Sequence, residues 1–449
     1  MRSDRPANLT RLGRWAGATV ALAVCTVATA AVLVAGRLSA ILVLVGVAVA
    51  LGSYWWMVTT EARRPSLTLR SVVVAIAIVL GAAVTIGPRQ SGDLWSYAMY
   101  GRIVAVHHAS PYKHVPDEYP NDPMLRFVSS AWLHTGSVYG PVFIAFSAAA
   151  APIGADSAAR TRILYQATAA LAVAGALLLV WRRTRSPAAI AWLGLHPVIA
   201  LEIVNGGRND ALIGLGVLGA ILLVERGKER ASGVVTGVGA AIKATGALAG
   251  AGLAIWTWRR RGVRRATIFA ATALATVVVA YLVAGGGAAL GPLEHASKLV
   301  SRASVWSALS ISSTTAMIVA AAAVAVALWR YTRDDPVQAG IAGPAAFLLA
   351  GPYVLPGYLG WVLPGAALEH NRRTARIIAL QATLLVGAYE IFHMPSSGLI
   401  ADALTSSAGL LAPLLGVVLL VAFLAPTRRR APAPDVRSGR TSVRSRLRT

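Results

Sequence analysis

The chain holds one cysteine in 449 residues, Cys25, which excludes an internal disulfide. Charge is scarce as well. Asp, Glu, Lys and Arg make up 13% of the residues, about half the ~25% of soluble domains. Acid is scarcer still, with 18 Asp and Glu against 42 Lys and Arg. A chain so poor in charge cannot clothe a water-facing surface, so an ordinary soluble domain is excluded. The alternating strands that a transmembrane barrel needs are missing. There is no internal repeat, and the glycines at 285–287 lack the surroundings of a phosphate loop. His107 and His108 have no third partner at metal-ligand spacing. No metal and no cofactor are expected. Cys25, inside an apolar run, reads as a small packing residue.

What is present is apolar. Hydrophobic residues are 56% of the chain, and mean hydropathy is +0.63. Runs near the spanning length of about 20 residues recur from end to end. In lipid the backbone must satisfy its own hydrogen bonds, so these runs are helices. The expected fold class is an all-α polytopic membrane protein of about 13 transmembrane helices, with interfacial helices in the first large external loop. Residues 1–425 form the membrane domain, 88–138 its external loop, and 426–449 a disordered polybasic tail drawn to anionic inner-leaflet lipid.

The net charge of +24 sits largely at span ends, which marks a membrane topology and not a nucleic-acid surface. Arg63/Arg64, Arg182/Arg183/Arg185, Arg226/Lys228/Arg230, Arg259–Arg261, Arg330/Arg333, Arg372/Arg373 and Arg428–Arg430 should face the cytoplasm. Both termini then lie inside, and Asp93, after three spans, lies outside. Residues 139–181 carry enough apolar sequence for two short helices, one of them re-entrant or interfacial. Residues 231–258 start and end at cytoplasmic clusters, so they should form a bent pair with Lys243 and Gly246 near its tip. The segment 94–108 has helical spacing and is expected flat on the membrane, with Leu94, Ala98 and Val104/Ala105 toward lipid.

With that orientation the polar residues gather on the outer side in four places. These are SGDLWSYAMYGR (91–102) continuing to His107, His108 and Lys113; NGGRND (205–210); Lys243; and Glu294, His295, Lys298 and Arg302 together with PYVLPGY (352–358). An acid, several cations and an apolar surround suit transfer of a group from a lipid-linked phosphate. Phosphate leaves readily but needs cations, for which Arg102, Lys113, Arg208, Lys243 and Arg302 are candidates. The attacking hydroxyl needs a base, and Asp93 at the mouth of a span fits that role. Trp95, Tyr97 and Tyr100 beside it can stack on a sugar. One direct displacement would invert the anomeric centre.

Blander readings stand beside these. Asp93 also suits a helix N-cap, Arg102 an interfacial anchor, and Asn209-Asp210 a turn with a cap. Glu202 pairs naturally with Arg208. Lys243 has the weakest bland reading, since a lysine that deep is costly unless it faces a cavity or a partner. A transporter or lipid flippase for a polyprenyl-linked substrate also needs such charges, but it predicts two similar halves and midplane residues. A membrane scaffold leaves the one-sided polar cluster unexplained.

The ordered set SGDLWSYAMYGR, ASPY (109–112), VYGPVF (138–143), LHPVIALEIVNGGRNDAL (195–212), AAIKATG (240–246) and PYVLPGYLGWVLP (352–364) resembles the polyprenol-phosphate-mannose-dependent mannosyltransferases of actinobacteria. These belong to the GT-C class, and the likeness is strongest to the α-1,6-mannosyltransferases that elongate lipomannan. It runs from about Gly87 to His370. It implies an extracytoplasmic site built on Asp93, a polyprenyl-phosphate sugar donor, a lipid-anchored glycan acceptor and no nucleotide sugar at the transfer step. It also implies that Asn209, Asp210 and Lys243 line the cavity, to which His107, Tyr353 and Tyr358 are assigned as well. Where the family pattern has Gly-His-Asn-Asp, this chain has Arg208 for the histidine, a residue suited to phosphate.

Overall fold

The computed structural model describes residues 8–35, 40–284, 286–291, 298–333, 335–394 and 399–426. Every regular element among them is helical. The long apolar runs give α1 (Asn8–Ala35), α2 (Ala40–Arg63) and α3 (Leu69–Thr85). Then come α4 (Asp93–Ala105), α5 (Pro141–Gly154), α6 (Ala158–Thr184), α7 (Pro187–Gly194) and α8 (Asp210–Glu225). The remaining described α-helices longer than five residues are α9 (Glu229–Ile242), α10 (Ala247–Arg261), α11 (Val263–Val283), α12 (Ser313–Tyr331), α13 (Pro336–Ala350), α14 (Arg373–Phe392) and α15 (Leu399–Leu424). Among the described residues seven helices are long and apolar enough to cross a membrane: the 17–35 part of α1, α2, α6, α11, α12, α14 and the 401–424 part of α15. Helices α3, α5 and α13 are apolar but shorter.

Several expected spans are interrupted, and each interruption has a visible cause. Between α7 and α8 the chain passes through a wide turn of π-helix at Ile199–Val204 and the NGGRND turn. The 231–258 run breaks where Lys243 leaves the helical region at φ −155°. A tight turn at Ala244–Gly246 then starts α10. The feet of this α9–α10 hairpin meet again, with Arg261 bonded to Glu229 at 2.8 Å. Of the two helices in 139–181, α6 has spanning length, while α5 has 14 residues, about 21 Å, too short for a ~30 Å hydrocarbon core.

The basic clusters meet at one end of the bundle. Arg183 pairs with Glu225 at 3.1 Å, Arg261 with Glu229, and Arg372 with Asp335 and Glu369 at 3.0 and 2.9 Å. The core between the ends is nearly all apolar. Cys25 is part of it, buried, with its thiol donating to the Leu195 carbonyl at 3.5 Å.

One expectation for the external loop is overturned. Helix α4 does not turn Leu94 and Ala98 to lipid; both are buried, as are residues 96–103. The cause is close packing on α5. A side chain at Gly101 would stand 2.2 Å from the Ser147 carbonyl oxygen, so only glycine lets the two helices approach this far. The following loop folds over α4 through short turns at Pro116–Glu118, Leu125–Phe127 and Ser130–Trp132. The basic N-terminal residues 1–7, the tail from 427, and Glu294 and His295 lie outside the described residues.

Candidate active site

At the end of the bundle opposite the basic clusters, three separated stretches of sequence meet. Asn205 ties the first two. Its side-chain amide donates to the carbonyls of Ala83, Ile86 and Gly87 and accepts from the Arg89 backbone at 2.9 Å. Gln166 of α6 donates to the carbonyls of Asn205 and Ile86. Arg89 and Gln90 both bond to Glu390 of α14. These bonds bring the start of α4 against the NGGRND turn.

Arg208 of that turn reaches Asp93 at 2.9 Å and Glu202 at 3.8 Å. Its N–H is not aligned on Asp93 as a hydrogen bond, so the contact is one of charge. Burial alone would lower the Arg208 pKa, but Asp93 and Glu202 hold it well above the ordinary value, so the guanidinium stays charged. The third stretch supplies the floor. A side chain at Gly357 would collide with Arg208, its Cβ 2.3 Å from Cδ, so the PYVLPGY turn needs glycine for the arginine to pass.

A second ion pair lies beside the first. Lys243, at the tip of the α9–α10 hairpin, bonds to Asp210 at 3.0 Å. Trp361 Nε1 donates to the same oxygen at 2.6 Å. The ammonium sits 3.8 Å from the centre of the Tyr358 ring and 5.0 Å from that of Trp361, a cation–π seat that strengthens when desolvated. Gly140 at the start of α5 donates to the Ile242 carbonyl at 2.9 Å and closes the site on that side. Tyr353 lies close enough that burial, then the Asp93 charge, push its phenol up to about 12, against the pull of Arg208. Tyr139, ahead of α5, is raised well above its usual value by burial, Tyr97 and Asp93.

Access separates the acids. The Asp93 side chain is 21% exposed, against 2% for Glu202 and 1% for Asp210. Asp93 is the first residue of α4 and Gly92 its N-cap, so the carboxylate is not used in capping. Asn209 occupies the cap position of α8 but makes no cap bond. Its amide nitrogen and oxygen are both buried without a hydrogen-bond partner, as are Asp210 Oδ2 and Glu202 Oε1. Buried amides are nearly always paired, so this one is open to a water or a ligand.

The residues named from sequence divide. Asp93, Arg208, Asn209, Asp210, Lys243, Tyr353 and Tyr358 come together, with Tyr97 buried among the rings of Tyr139, Phe143 and Tyr165. Others do not join them. Arg102 is nine positions from Asp93, about 14 Å along a helix. It is taken up by Asp122 at 2.8 Å, Asp156 at 3.0 Å and the Ala155 carbonyl at 2.9 Å, so each of its three nitrogens is engaged away from Asp93. His107 bonds to the same Asp122 at 2.8 Å and stacks on Tyr119. Tyr100 donates to the Thr135 carbonyl, and Trp95 stacks on Phe127. Lys113 and Arg302 are exposed, the latter next to Ser301, which bonds to Pro352. Sequence reading missed Trp361, Asn205 and Asp122. Trp361 was legible as the aromatic three positions after Tyr358; Asn205 lies inside the NGGRND turn already singled out, though without the partners that give it a role, and Asp122 leaves no signal without knowledge of what it faces.

A helical membrane bundle with an acid–base cluster at one end defines a class, and residues 138–385 match the profile of glycosyltransferase family 87. More narrowly, the chain belongs to the alpha-(1->6)-mannopyranosyltransferase family, whose N-terminal-domain profile matches residues 10–260, more than half of it. It is 28% identical over 340 residues to alpha-(1->6)-mannopyranosyltransferase A of Mycobacterium tuberculosis, covering 65% of this chain and 64% of that protein. The protein of the same name from Corynebacterium glutamicum is 26% identical over 200 residues, 42% of this chain and 39% of its own length. The chain thus spans less than two thirds of either relative.

Proposed function

We propose that this chain is an inverting mannosyltransferase of the GT-C class that works at the outer face of the membrane. It moves mannose from a polyprenyl-phosphate donor to a hydroxyl of a lipid-anchored glycan, forming an α-1,6 bond. Family membership supports the sugar and the bond. The crowding of basic clusters at the opposite end supports the outward direction of the site. The short and broken helices beside the seven long ones support a bundle of about 13 crossings, with 88–138 as its external catalytic loop.

The observation that carries the chemistry is the accessible face of Asp93 within a cluster of otherwise sealed acids. In the transfer step the acceptor oxygen attacks the anomeric carbon and its proton passes to Asp93. The bond from that carbon to the phosphate oxygen breaks, its electron pair leaves on the polyprenyl phosphate, and the centre inverts. Arg208, pinned between Asp93 and Glu202, orients the base. Lys243, 15% exposed, is the cation open to the leaving phosphate. Asn209 offers a donor and an acceptor to the sugar hydroxyls, and Tyr353 and Tyr358 wall the acceptor side. Arg102 and His107 hold the loop and take no part in the transfer.

The test is a membrane assay with radiolabelled polyprenyl-phosphate mannose and a lipid-glycan extract, with linkage analysis of the product. Transfer by the wild type that Asp93→Asn abolishes while donor binding persists is the expected result. Wild-type membranes that transfer nothing, or an Asp93→Asn enzyme at full rate, would remove the proposal.

A further inference from the structure

At the end of the bundle that carries the basic clusters, a chamber of 490 Å³ opens between α2, α3, α7 and the turn before α14. It lies far from Asp93, and sugar transfer gives it no role. Helices α3 and α7 both begin on its wall, at Thr68 and Ser186. Thr68 accepts from the Ser71 N–H and Ser186 from the Ala189 N–H, each at 3.2 Å. Pro187 has no N–H, so the N–H groups of Leu69, Arg70 and Ala188 are left without a partner inside their helices. Two helix starts on one chamber carry partial positive charge and attract an anion. Trp192 supplies an independent sign. It lines the chamber, is 1% exposed, and its Nε1 donor is buried with no partner. A water would pair that donor, but the chamber exceeds the ~30 Å³ of one water many times over. Arg63 and Arg64, between the lining residues Ala62 and Pro65, and Arg185, next to the lining Ser186, are exposed cations of the same end.

The lining accepts hydrogen bonds as well. Glu61 lines the chamber and is 7% exposed. Unlike Glu225, Glu229, Asp335 and Glu369 at the same end, it makes no ion pair among the described residues. The Ser66 and Leu67 N–H groups reach one of its oxygens at 2.8 and 3.1 Å. The other oxygen receives only Leu67, at 3.3 Å, and keeps room for a further donor. Burial lowers the His370 pKa against the pull of the Ala367 carbonyl, and Arg376 lowers it further, so this lining ring is neutral at pH 7 and able to accept. A bare anion would meet Glu61, and a bare cation the helix starts and arginines. We propose that the chamber binds a phosphate ester whose alcohol part carries hydroxyl or amine donors. Its phosphate lies against the two helix starts and Trp192, and its donors turn to Glu61 and His370. The source is either the head of a phospholipid in the adjoining leaflet or a free ester in water. The walls of the chamber lead to the opposite end of the bundle. Asn205 there ties the end of α3 to the turn that follows α7, and Glu390 of α14 holds Arg89 and Gln90. A ligand in the chamber joins the same three segments at their other ends, so it braces the scaffold.

The test uses the full chain in nanodiscs of phosphatidylcholine, whose head has a phosphate but no hydrogen-bond donor. Glycerol 3-phosphate added to the buffer probes the free source, and phosphatidylglycerol mixed into the disc probes the lipid source. The thermal midpoint should rise with one or both and level off as the chamber fills. Methyl phosphate, the same anion without the donors, should need about tenfold more for an equal rise. Trp192→Phe keeps a ring and removes an N–H that pairs with nothing in the protein. It should weaken the apparent Kd about tenfold. Ala62→Trp, at an exposed lining position, fills the chamber and should abolish the rise. Each variant is read against its own midpoint without ligand, so lost stability does not imitate lost binding. A rise with glycerol 3-phosphate alone upholds the site and assigns it a free ester; a rise with phosphatidylglycerol alone upholds it and assigns a lipid head. No rise with either, an equal rise with methyl phosphate, or rises that survive both Trp192→Phe and Ala62→Trp, as surface arginines alone would give, would each overturn the proposal.

Discussion

Two clusters of arginine and carboxylate lie at the two ends of α4, and they are built in opposite ways. At the far end Arg102, Asp122, Asp156 and His107 close on one another. Asp122 accepts from Arg102, His107 and the Met124 backbone, and its side chain is wholly buried. Arg102 spends all three of its nitrogens. At the near end Asp93, Arg208, Glu202, Asn209 and Asp210 are as deeply placed but unfinished, with polar atoms of four of the five left unpaired. Completed polar networks rigidify, while unfinished ones cost free energy that a buried water or a ligand offsets. The same residue types thus serve a latch at one end and the proposed site at the other, and satisfaction of hydrogen bonds tells them apart.

The largest test of that contrast is Asp93→Asn. It keeps the shape and removes the base, so turnover should fall about 10²–10⁴-fold. Donor capture should hold within twofold, and the thermal midpoint should fall by less than that of Asp122→Asn, since the buried Arg208 keeps Glu202 as its partner. A midpoint that falls as far as that of Asp122→Asn would make Asp93 a second latch. Next is Asn209→Ala. Removal of an unpaired buried amide should leave stability unchanged or slightly raised. Loss of contacts to sugar hydroxyls should cost about 10–100-fold in kcat/KM, read from initial rates at low donor. If the midpoint falls by several degrees instead, Asn209 has a structural partner and the unfinished cluster is smaller than drawn.

Much of this contrast could be read in the sequence, and some could not. Span ends were legible because hydropathy and arginine placement are set by lipid, which acts on each segment separately. The break at Lys243 was legible for the same reason, since both flanks of 231–258 carry clusters of basic residues and the lysine has no place in hydrocarbon. The near cluster was legible as a set of polar residues on the side opposite the basic clusters. The roles of Arg102 and Arg208 were not separable, because each is an arginine near an acid on the same side. What divides them is Asp122, twenty positions from Arg102 and inconspicuous in its loop. Helix α4 was misjudged for a related reason. Its spacing fits an interfacial helix, and only the approach of Ser147 to Gly101 shows that its apolar face meets protein.

Asp122→Asn sharpens the comparison from the other end, with a smaller effect on catalysis and a larger one on the fold. Breaking a buried pair strands its partner and costs about 3–5 kcal/mol. The thermal midpoint should fall well below that of the wild type. The rate of the remaining folded enzyme should stay within twofold, since Arg102, which Asp122 holds, sits nine positions and about 14 Å along α4 from the proposed base. A loss in rate with no loss in stability would move the latch into the site.

The weakest effect is the pH response of that latch. Burial works to raise the Asp122 pKa, but the bonds from Arg102, Met124 and His107 outweigh it and hold it below the ordinary carboxylate value. A depressed folded-state pKa means the group's stabilisation is complete above the unfolded value of about 3.9 and is lost as pH falls through the folded one. The wild-type midpoint should therefore hold down to about pH 4 as far as this group is concerned and drop below it. The Asp122→Asn midpoint starts lower and should lack that part of the drop, so the two curves converge in acid. Parallel curves from neutral to acid would mean that the Asp122 carboxylate carries no linked stability, and that the latch is held by packing such as that of Tyr119 on His107.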